Sequence, residues 1–277
     1  MKRILCPVDF SELSRSAVGY AAALARQLGA EVTVLHVQPG APGDGGAQAR
    51  LEELARGEGL RTAVAAGDPS TVILEQSESL RADLIVMGTH GRRGFDRWLL
   101  GSVTERVLHR APCPVLTVNN RAEPPAADGP PFRTILCAED FAPSSQELAA
   151  ALALAPAGSR LLVLHAVEEL PDDCVLGAVP FEYGPLLISQ ARERLQAALS
   201  AVAADRAAEA IVVPGRAYRQ ILALAEAEKA DLVVVGVNSG ERINHMFFGS
   251  TTHHVVRGAA CPVLTVRGRL EETKHEA

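Results

Sequence analysis

The sequence predicts an α/β protein of two tandem doubly wound units, each a five-stranded parallel sheet covered by helices. Two observations point there. Short runs rich in Val, Ile and Leu alternate with longer amphipathic stretches, and strands that are apolar on both faces and separated by helices imply a parallel sheet buried on two sides. The chain also repeats itself once. Ile4-Leu5-Cys6-Pro7-Val8-Asp9-Phe10 returns as Ile135-Leu136-Cys137-Ala138-Glu139-Asp140-Phe141, and Val34-Leu35-His36 as Val163-Leu164-His165. Further on, Ala82-Asp83-Leu84-Ile85-Val86-Met87-Gly88 pairs with Ala230-Asp231-Leu232-Val233-Val234-Val235-Gly236, and Cys113-Pro114-Val115-Leu116-Thr117-Val118 with Cys261-Pro262-Val263-Leu264-Thr265-Val266. The offset is 131 early in the repeat and 148 late, which places about 17 extra residues in the second half, around Glu168–Ser200.

In the first half the expected order runs as follows. A strand over Arg3–Val8 leads into a helix over Glu12–Leu28, then come a strand over Glu31–Val37, a helix over Ala47–Arg56 and a strand over Arg61–Ala65. The turn Gly67-Asp68-Pro69-Ser70 opens a helix over Thr71–Leu80, with Ser70 read as its cap. A strand over Leu84–Gly88, a helix over Val103–His109 and a last strand over Val115–Val118 complete the unit, with right-handed crossovers between parallel strands. Ser102-x-x-Glu105 and, in the second half, Ser144-x-x-Glu147 have capping-box spacing. Asn119–Pro131, rich in Pro, Ala and Gly, reads as the join, so the expected organisation is a first domain at 1–120, a linker at 121–131, a second domain at 132–268 and a tail at 269–277.

Composition narrows the function classes. A formal charge of −6 with both signs interspersed gives no basic footprint for nucleic acid, and no apolar stretch is long enough to span a bilayer. Met1–Pro7 runs directly into a strand-like segment with no signal peptide pattern, so a soluble cytoplasmic protein is expected. Cys6, Cys113, Cys137 and Cys261 sit in apolar strand or strand-edge contexts and Cys174 lies alone, which reads as buried small hydrophobes in a reducing compartment. His245, His253 and His254 have no second ligand motif beside them, so no metal site is expected. His36 and His165, at the ends of equivalent strands, read as packed and hydrogen-bonded.

Open parallel sheets bind ligands beyond the carboxyl ends of their strands, where the strand order reverses. The loop there, Gly88–Ser102, opens onto a helix, so backbone N–H groups and a positive helix terminus lie where phosphates could rest. It is neither a Walker A loop nor GxGxxG. Its spacing, G-x2-G-x9-G-S, formed by Gly88, Gly91, Gly101 and Ser102, closely resembles the ATP-binding members of the universal stress protein family. Pro7-Val8-Asp9-Phe10-Ser11, Leu35-His36-Val37, Met87 and Ser102-Val103-Thr104-Glu105 extend the resemblance, which covers both halves. It implies Rossmann-like, adenine nucleotide alpha hydrolase-like domains that associate through their last strands, here as an internal pseudo-dimer, with a further homodimer open. It implies ATP held by Pro7, Val8, Asp9, Val37, Met87, Gly88, His90, Gly91, Arg92, Gly101, Ser102, Val103 and Thr104, with Mg²⁺ expected beside the triphosphate. Asp9 would accept the ribose hydroxyls and Val37 would read the adenine edge. The residues themselves also allow Asp9 to be a turn former, Ser102 a helix cap and the glycines turn residues.

The equivalent second loop, Gly236–Ser250, keeps Gly236, Gly249 and Ser250 but has Ser239 in place of the second glycine. Its formal charge is zero against +2 in the first, where Arg92, Arg93 and Arg97 face Asp96, and Pro7-Val8 becomes Ala138-Glu139 beside Asp140. A weaker second site at Asp140, Gly236, Ser239, Gly249 and Ser250 follows, with ATP held by the first half. No nucleophile–base pair is legible, which favours an ATP-binding stress-response regulator acting on other proteins. A slow ATPase or phosphotransfer enzyme, or a nucleotide-independent dimerisation module, are the alternatives.

Overall fold

The computed structural model describes residues 1–40, 46–56, 59–89, 100–125, 129–141, 146–168, 183–202, 207–237 and 249–267. The first half runs β1 (Arg3–Val8), α1 (Glu12–Leu28), β2 (Glu31–Gln38), α2 (Gly46–Leu54), β3 (Arg61–Ala66), α3 (Pro69–Ser79), β4 (Leu84–Gly88), α4 (Ser102–Arg110) and β5 (Val115–Val118). The second runs β6 (Thr134–Ala138), α5 (Glu147–Leu154), β7 (Arg160–Val167), α6 (Tyr183–Val202), β8 (Ala207–Pro214), α7 (Ala217–Ala227), β9 (Leu232–Val237), α8 (Ser250–Gly258) and β10 (Val263–Arg267).

Both halves are doubly wound as expected, with strand order β3-β2-β1-β4-β5 in the first and its counterpart β8-β7-β6-β9-β10 in the second. They do not remain two separate sheets. β5 pairs antiparallel with β10, Val263 opposite Thr117 and Thr265 opposite Val115, so ten strands form one sheet that is parallel within each half. Alternation along each strand divides the interior in two. Ile4, Cys6, Val86 and Leu264 face one core with α1, while Leu5, Ile85, Met87 and Val263 face the other with α3 and α4, and each core extends through both halves. A fully buried Leu, Ile or Val contributes about 1.5–3 kcal/mol, so the continuity ties the two units into one cooperative body.

The repeated Ala-Asp before β4 and β9 has a concrete task. Asp83 Oδ2 accepts the N–H groups of Lys2 and Arg3, and Asp231 Oδ2 accepts those of Arg133 and Thr134, so each carboxylate fixes the start of the neighbouring central strand. α1 begins on Ser11, whose hydroxyl accepts from the Ser14 N–H, and stops at Gly29 in the left-handed region at φ 61°.

Two expected caps are corrected. α3 is capped by Asp68, which accepts from the Thr71 N–H at 3.0 Å, while Pro69 takes the first helical position and Ser70 lies inside the helix, its hydroxyl donating to the same Asp68 oxygen. Pro69 has no N–H to lose at that position, so the helix starts two residues earlier than a Ser70 cap allows. α4 is entered through Gly101, and Ser102 is its first helical residue, so the Ser102–Glu105 box does not form. In the second half Ser144 lies outside the described residues, and α5 starts from Gln146 with no side-chain cap.

The segment joining the halves is anchored. Asn119 is buried; its amide donates to the carbonyls of Ala259 (3.0 Å) and Cys261 (3.2 Å), and its Oδ1 accepts from the N–H groups of Arg121 and Ala122. Tyr20 stacks on fully buried Phe132 and donates to the Glu123 carbonyl.

Candidate functional site

In the first half the strand order reverses between β1 and β4, which are hydrogen-bonded neighbours, so the crevice opens where β1 ends at Val8 and β4 ends at Gly88. The chain leaves β4 through Thr89 and re-enters at Gly101, whose N–H donates to the Thr89 carbonyl at 2.9 Å. Thr89 itself is buried and donates its N–H to Val118 on β5. This closure brings Gly88, Gly101 and Ser102, the outer members of the glycine pattern, to one place. Thr104 reinforces it: buried in the first turn of α4, its hydroxyl donates to the Gly88 carbonyl at 2.9 Å. His90, Gly91, Arg92, Arg93, Asp96 and Arg97 lie outside the described residues.

The mouth of α4 has an unusual feature. Gly101 adopts φ −63° and ψ 138°, a conformation open to any residue, so glycine is not required there by the backbone. Ser, Asp or Asn would cap the helix better, and no side-chain cap is made. The first-turn N–H groups of a helix have no intrahelical partner. What glycine supplies is the absence of a side chain over those groups. The same holds at α8, where Gly249 has φ −50° and ψ 137° and, among the described residues, an added Cβ would meet only the Thr252 hydroxyl at 3.9 Å.

Across the crevice, Asp9 Oδ1 accepts the Ser11 N–H at 3.0 Å, so the carboxylate also shapes the turn into α1. Pro7 and Val8 are buried, Met87 faces the core under α3 and α4, and Val37, next to last in β2, lies against Ala65 of β3. His36 Nδ1 meets the Val8 carbonyl at 2.8 Å; a carbonyl only accepts, so this nitrogen carries the proton. The ring of Phe10, held at φ 64°, lies 4.4 Å from that of His36 at a tilt of 45°, and the Arg50 guanidinium stands 4.1 Å from its centroid. The second half repeats the arrangement with Phe141 at φ 59°, His165 and Arg194. A left-handed Phe costs about 1–2 kcal/mol, and the stacked neighbours hold it in place. The sequence reading found both histidines and both phenylalanines but missed Arg50 and Arg194, whose spacing is altered by the extra residues before α6.

The second crevice has the same frame and a different lining. Thr252 donates to the Gly236 carbonyl at 2.6 Å, as Thr104 does to Gly88. A cavity of about 240 Å³ opens here, lined by Glu139, Asp140, Leu164, His165, Ile221, Val235, Gly236, Gly249, Ser250 and Thr252 among others. Glu139 takes the turn-forming role, its Oε1 accepting the Phe141 N–H at 3.0 Å, while its carbonyl meets His165 Nδ1 at 2.7 Å. Behind Gly236 lies a third carboxylate, one that sequence spacing did not reveal. Glu147 is 3% exposed, and a Cβ on Gly236 would fall 1.8 Å from its Oε1, so the carboxylate is packed on the glycine α-carbon. Ser239 lies outside the described residues.

The other described candidates are packed into the fold, while Cys174 and His245 lie outside the described residues. Burial pushes the thiols of Cys6, Cys113 and Cys261 up to about 12 and that of Cys137 well up also, which keeps them protonated. His254 stacks on Tyr218, 4.4 Å between centroids, and burial lowers the pKa of His253. Among the described residues no group of three or more His, Cys, Asp or Glu is placed to hold a metal ion. Among them, too, no helix is long and apolar enough to cross a membrane.

Comparison with known proteins agrees with this picture. The profile of the universal stress protein family matches residues 1–56, 43–119 and 131–267. A universal stress protein of Thermus aquaticus is 39% identical over 139 residues, covering 49% of this chain and 99% of its own length. One of Mycolicibacterium smegmatis is 28% identical over 297 residues, covering 96% of this chain and 97% of its own, so both halves find counterparts in a single relative. The crystal structure of a universal stress protein from Archaeoglobus fulgidus superposes with a TM-score of 0.69 at 23% identity, covering 96% of each chain, which shows a common fold.

Proposed function

The chain belongs to the universal stress protein family, in its tandem form, and from that premise we propose that it is an ATP-binding stress-response regulator whose first half, residues 1–120, holds the nucleotide. The observation that supports this most directly is the glycine entry to α4. Gly101 itself places no side chain over the first-turn amides, and it lies beside Gly88, across the strand-order reversal from Asp9. Uncovered amides at a helix N-terminus are donors for phosphate oxygens, and the helix dipole adds favourable potential for negative charge.

On this reading the amides of Ser102, Val103 and Thr104 and the Ser102 hydroxyl meet the phosphates, together with Gly88, His90, Gly91 and Arg92. The Thr104 hydroxyl holds α4 on β4 through the Gly88 carbonyl, so its contribution to the ligand comes through its backbone. Asp9 accepts ribose hydroxyls, while Pro7, Val8, Val37 and Met87 shape the slot for adenosine. These residues fit ATP. Mg²⁺ bound with it would neutralise phosphate charge and could draw its ligands from phosphate oxygens and water, without a carboxylate cage from the protein. Occupancy would then be read by partner proteins in the cytoplasm.

Gly101→Asp tests the assignment. An Asp at the helix entry is a good cap, so stability should be unchanged or slightly higher, while its carboxylate occupies the phosphate position. Calorimetric titration should show ATP affinity reduced at least a hundredfold for Gly101→Asp and unchanged for Gly249→Asp. Loss on Gly249→Asp alone would move the site to the second half. Measuring ADP production on the same samples separates a binder from a slow ATPase, and a wild-type chain that takes up no ATP would leave the dimerisation-module reading.

A further inference from the structure

We propose that Tyr218 is a phosphorylation site: its phenolic oxygen accepts the γ-phosphoryl group of a nucleoside triphosphate from a protein tyrosine kinase, and Arg216 and Arg219 then hold the phosphate. One place in the two halves carries the contrast that points there. At the offset of 148 residues, Asp68, Ser70, Thr71 and Arg106 of the first half correspond to Arg216, Tyr218, Arg219 and His254 of the second. In the first half the centre of the group is an anion. Asp68 Oδ1 accepts from the Ser70 hydroxyl at 2.6 Å and the Thr71 hydroxyl at 2.9 Å, and its other oxygen lies 3.7 Å from the Arg106 guanidinium.

In the second half the carboxylate is replaced by Arg216, and the acceptor at the centre is a neutral phenol. Arg219 Nε donates to the exposed Tyr218 hydroxyl at 3.1 Å, and Arg216 donates to it as well. The His254 ring stacks on the phenol, 4.4 Å between centroids and 24° between planes, and is itself fixed on α8 where its Nδ1 meets the Ser250 carbonyl. Two guanidiniums converging on one oxygen are suited to a phosphate dianion, which takes charge-assisted hydrogen bonds from both. They also hold the phenol below its ordinary pKa, Arg219 most of all, which favours the nucleophilic phenolate. In the transfer the phenol gives its proton to the kinase's base and its oxygen bonds to the γ-phosphorus. The bond from that phosphorus to the bridging oxygen breaks, and the nucleoside diphosphate leaves. The product puts a charge of about −1.5 to −2 where the first half has Asp68. Ala217 and Ile221 of the same helix line the second-half cavity, so ordering this turn reaches that wall. Tyr20 offers no such site, being buried and donating to the Glu123 carbonyl.

The full chain, incubated with a broad-specificity tyrosine kinase and ATP and then freed of nucleotide, is mapped by mass spectrometry. Tyr218 should carry phosphate and Tyr20 none, and Tyr218→Phe should remove that label. Phosphorus NMR should place the second ionisation of the phosphate about half a unit or more below its usual value near 6, and Arg216→Ala with Arg219→Ala should return it toward that value. Amide exchange in the first turn of α7 should slow about threefold on modification of the wild-type chain and not of the double variant. Thermal melts check that each variant is folded. A folded chain left unmodified at Tyr218, or a phosphate whose ionisation and effect on α7 ignore the two arginines, would overturn the proposal. The readouts follow nucleotide removal, so they hold whether or not the first half binds ATP.

Discussion

The crevices beside Asp9 and Asp140 share a frame and differ in lining. In both, a threonine in the first turn of the following helix is tied to the glycine at the end of a central strand, a glycine opens the helix without capping it, and a left-handed Phe packs against a His ring and an Arg guanidinium. Only the second places Glu139 in the lining and a buried Glu147 against its strand-end glycine. What is common to both therefore belongs to the architecture, and ligand choice has to be sought in what differs. The Phe stack illustrates this: its presence in both crevices assigns it to holding the turn after β1 and β6, whatever binds there.

The comparison can be broken most severely at the junction. Asn119→Ala removes the two hydrogen bonds to Ala259 and Cys261 and leaves buried carbonyls unmatched, a loss of about 2–4 kcal/mol. Scanning calorimetry should show a lower Tm and, if the shared cores are what make the halves one body, a single transition; two resolved transitions would show that the halves are held together chiefly by Asn119. A smaller effect tests the shared stack. Phe10→Leu and Phe141→Leu keep apolar volume but lose ring and cation contacts, about 1–2 kcal/mol in each case. Equal losses in urea denaturation support a common structural role, whereas a loss confined to Phe10 would return the stack to the nucleotide.

The smallest effect concerns a residue without a counterpart. Hydrogen bonds from Ser70 and Thr71 hold Asp68 down to about 2, while the equivalent position at α7 is Arg216, which makes no side-chain cap. A depressed carboxylate stabilises above its unfolded pKa, near 4, and that contribution fades as the pH falls toward 2. Hydrogen exchange should therefore show α3 loosening between pH 4 and 2, and Asp68→Asn, which still caps, should flatten that dependence; unchanged acid sensitivity in the variant would assign it elsewhere.

Much of the fold was legible because hydrophobic runs and the internal repeat reinforce each other. β1, α1, β4 and β5 begin and end where the sequence reading puts them, and the last strands pair across the halves as the resemblance implied. The caps were less legible: Ser70 has the right chemistry, but Pro69 before it already fills the first helical position, which moves the cap to Asp68. Spacing also failed where the repeat changes length. Arg194 does not align with Arg50 by either offset, and Glu147, one residue among many on an Ala- and Leu-rich helix, shows its burial only once α5 is laid against β9. Of the predicted site, Gly88, Gly101, Ser102 and Thr104 come together beside β1, while the interior of the glycine loop lies outside the described residues.

The antiparallel pairing of β5 with β10 fixes more than shape. Two separate copies joined along those strands would be identical, so any substitution would appear in both crevices at once. Here each crevice has its own codons, and one can acquire Glu139 while the other keeps Val8. The pairing also consumes both last strands, which leaves β3 and β8 as the edges of the sheet among the described residues. The molecule thus has the geometry of a symmetric pair with the evolutionary freedom of a heterodimer, its two unlike partners always supplied in equal number.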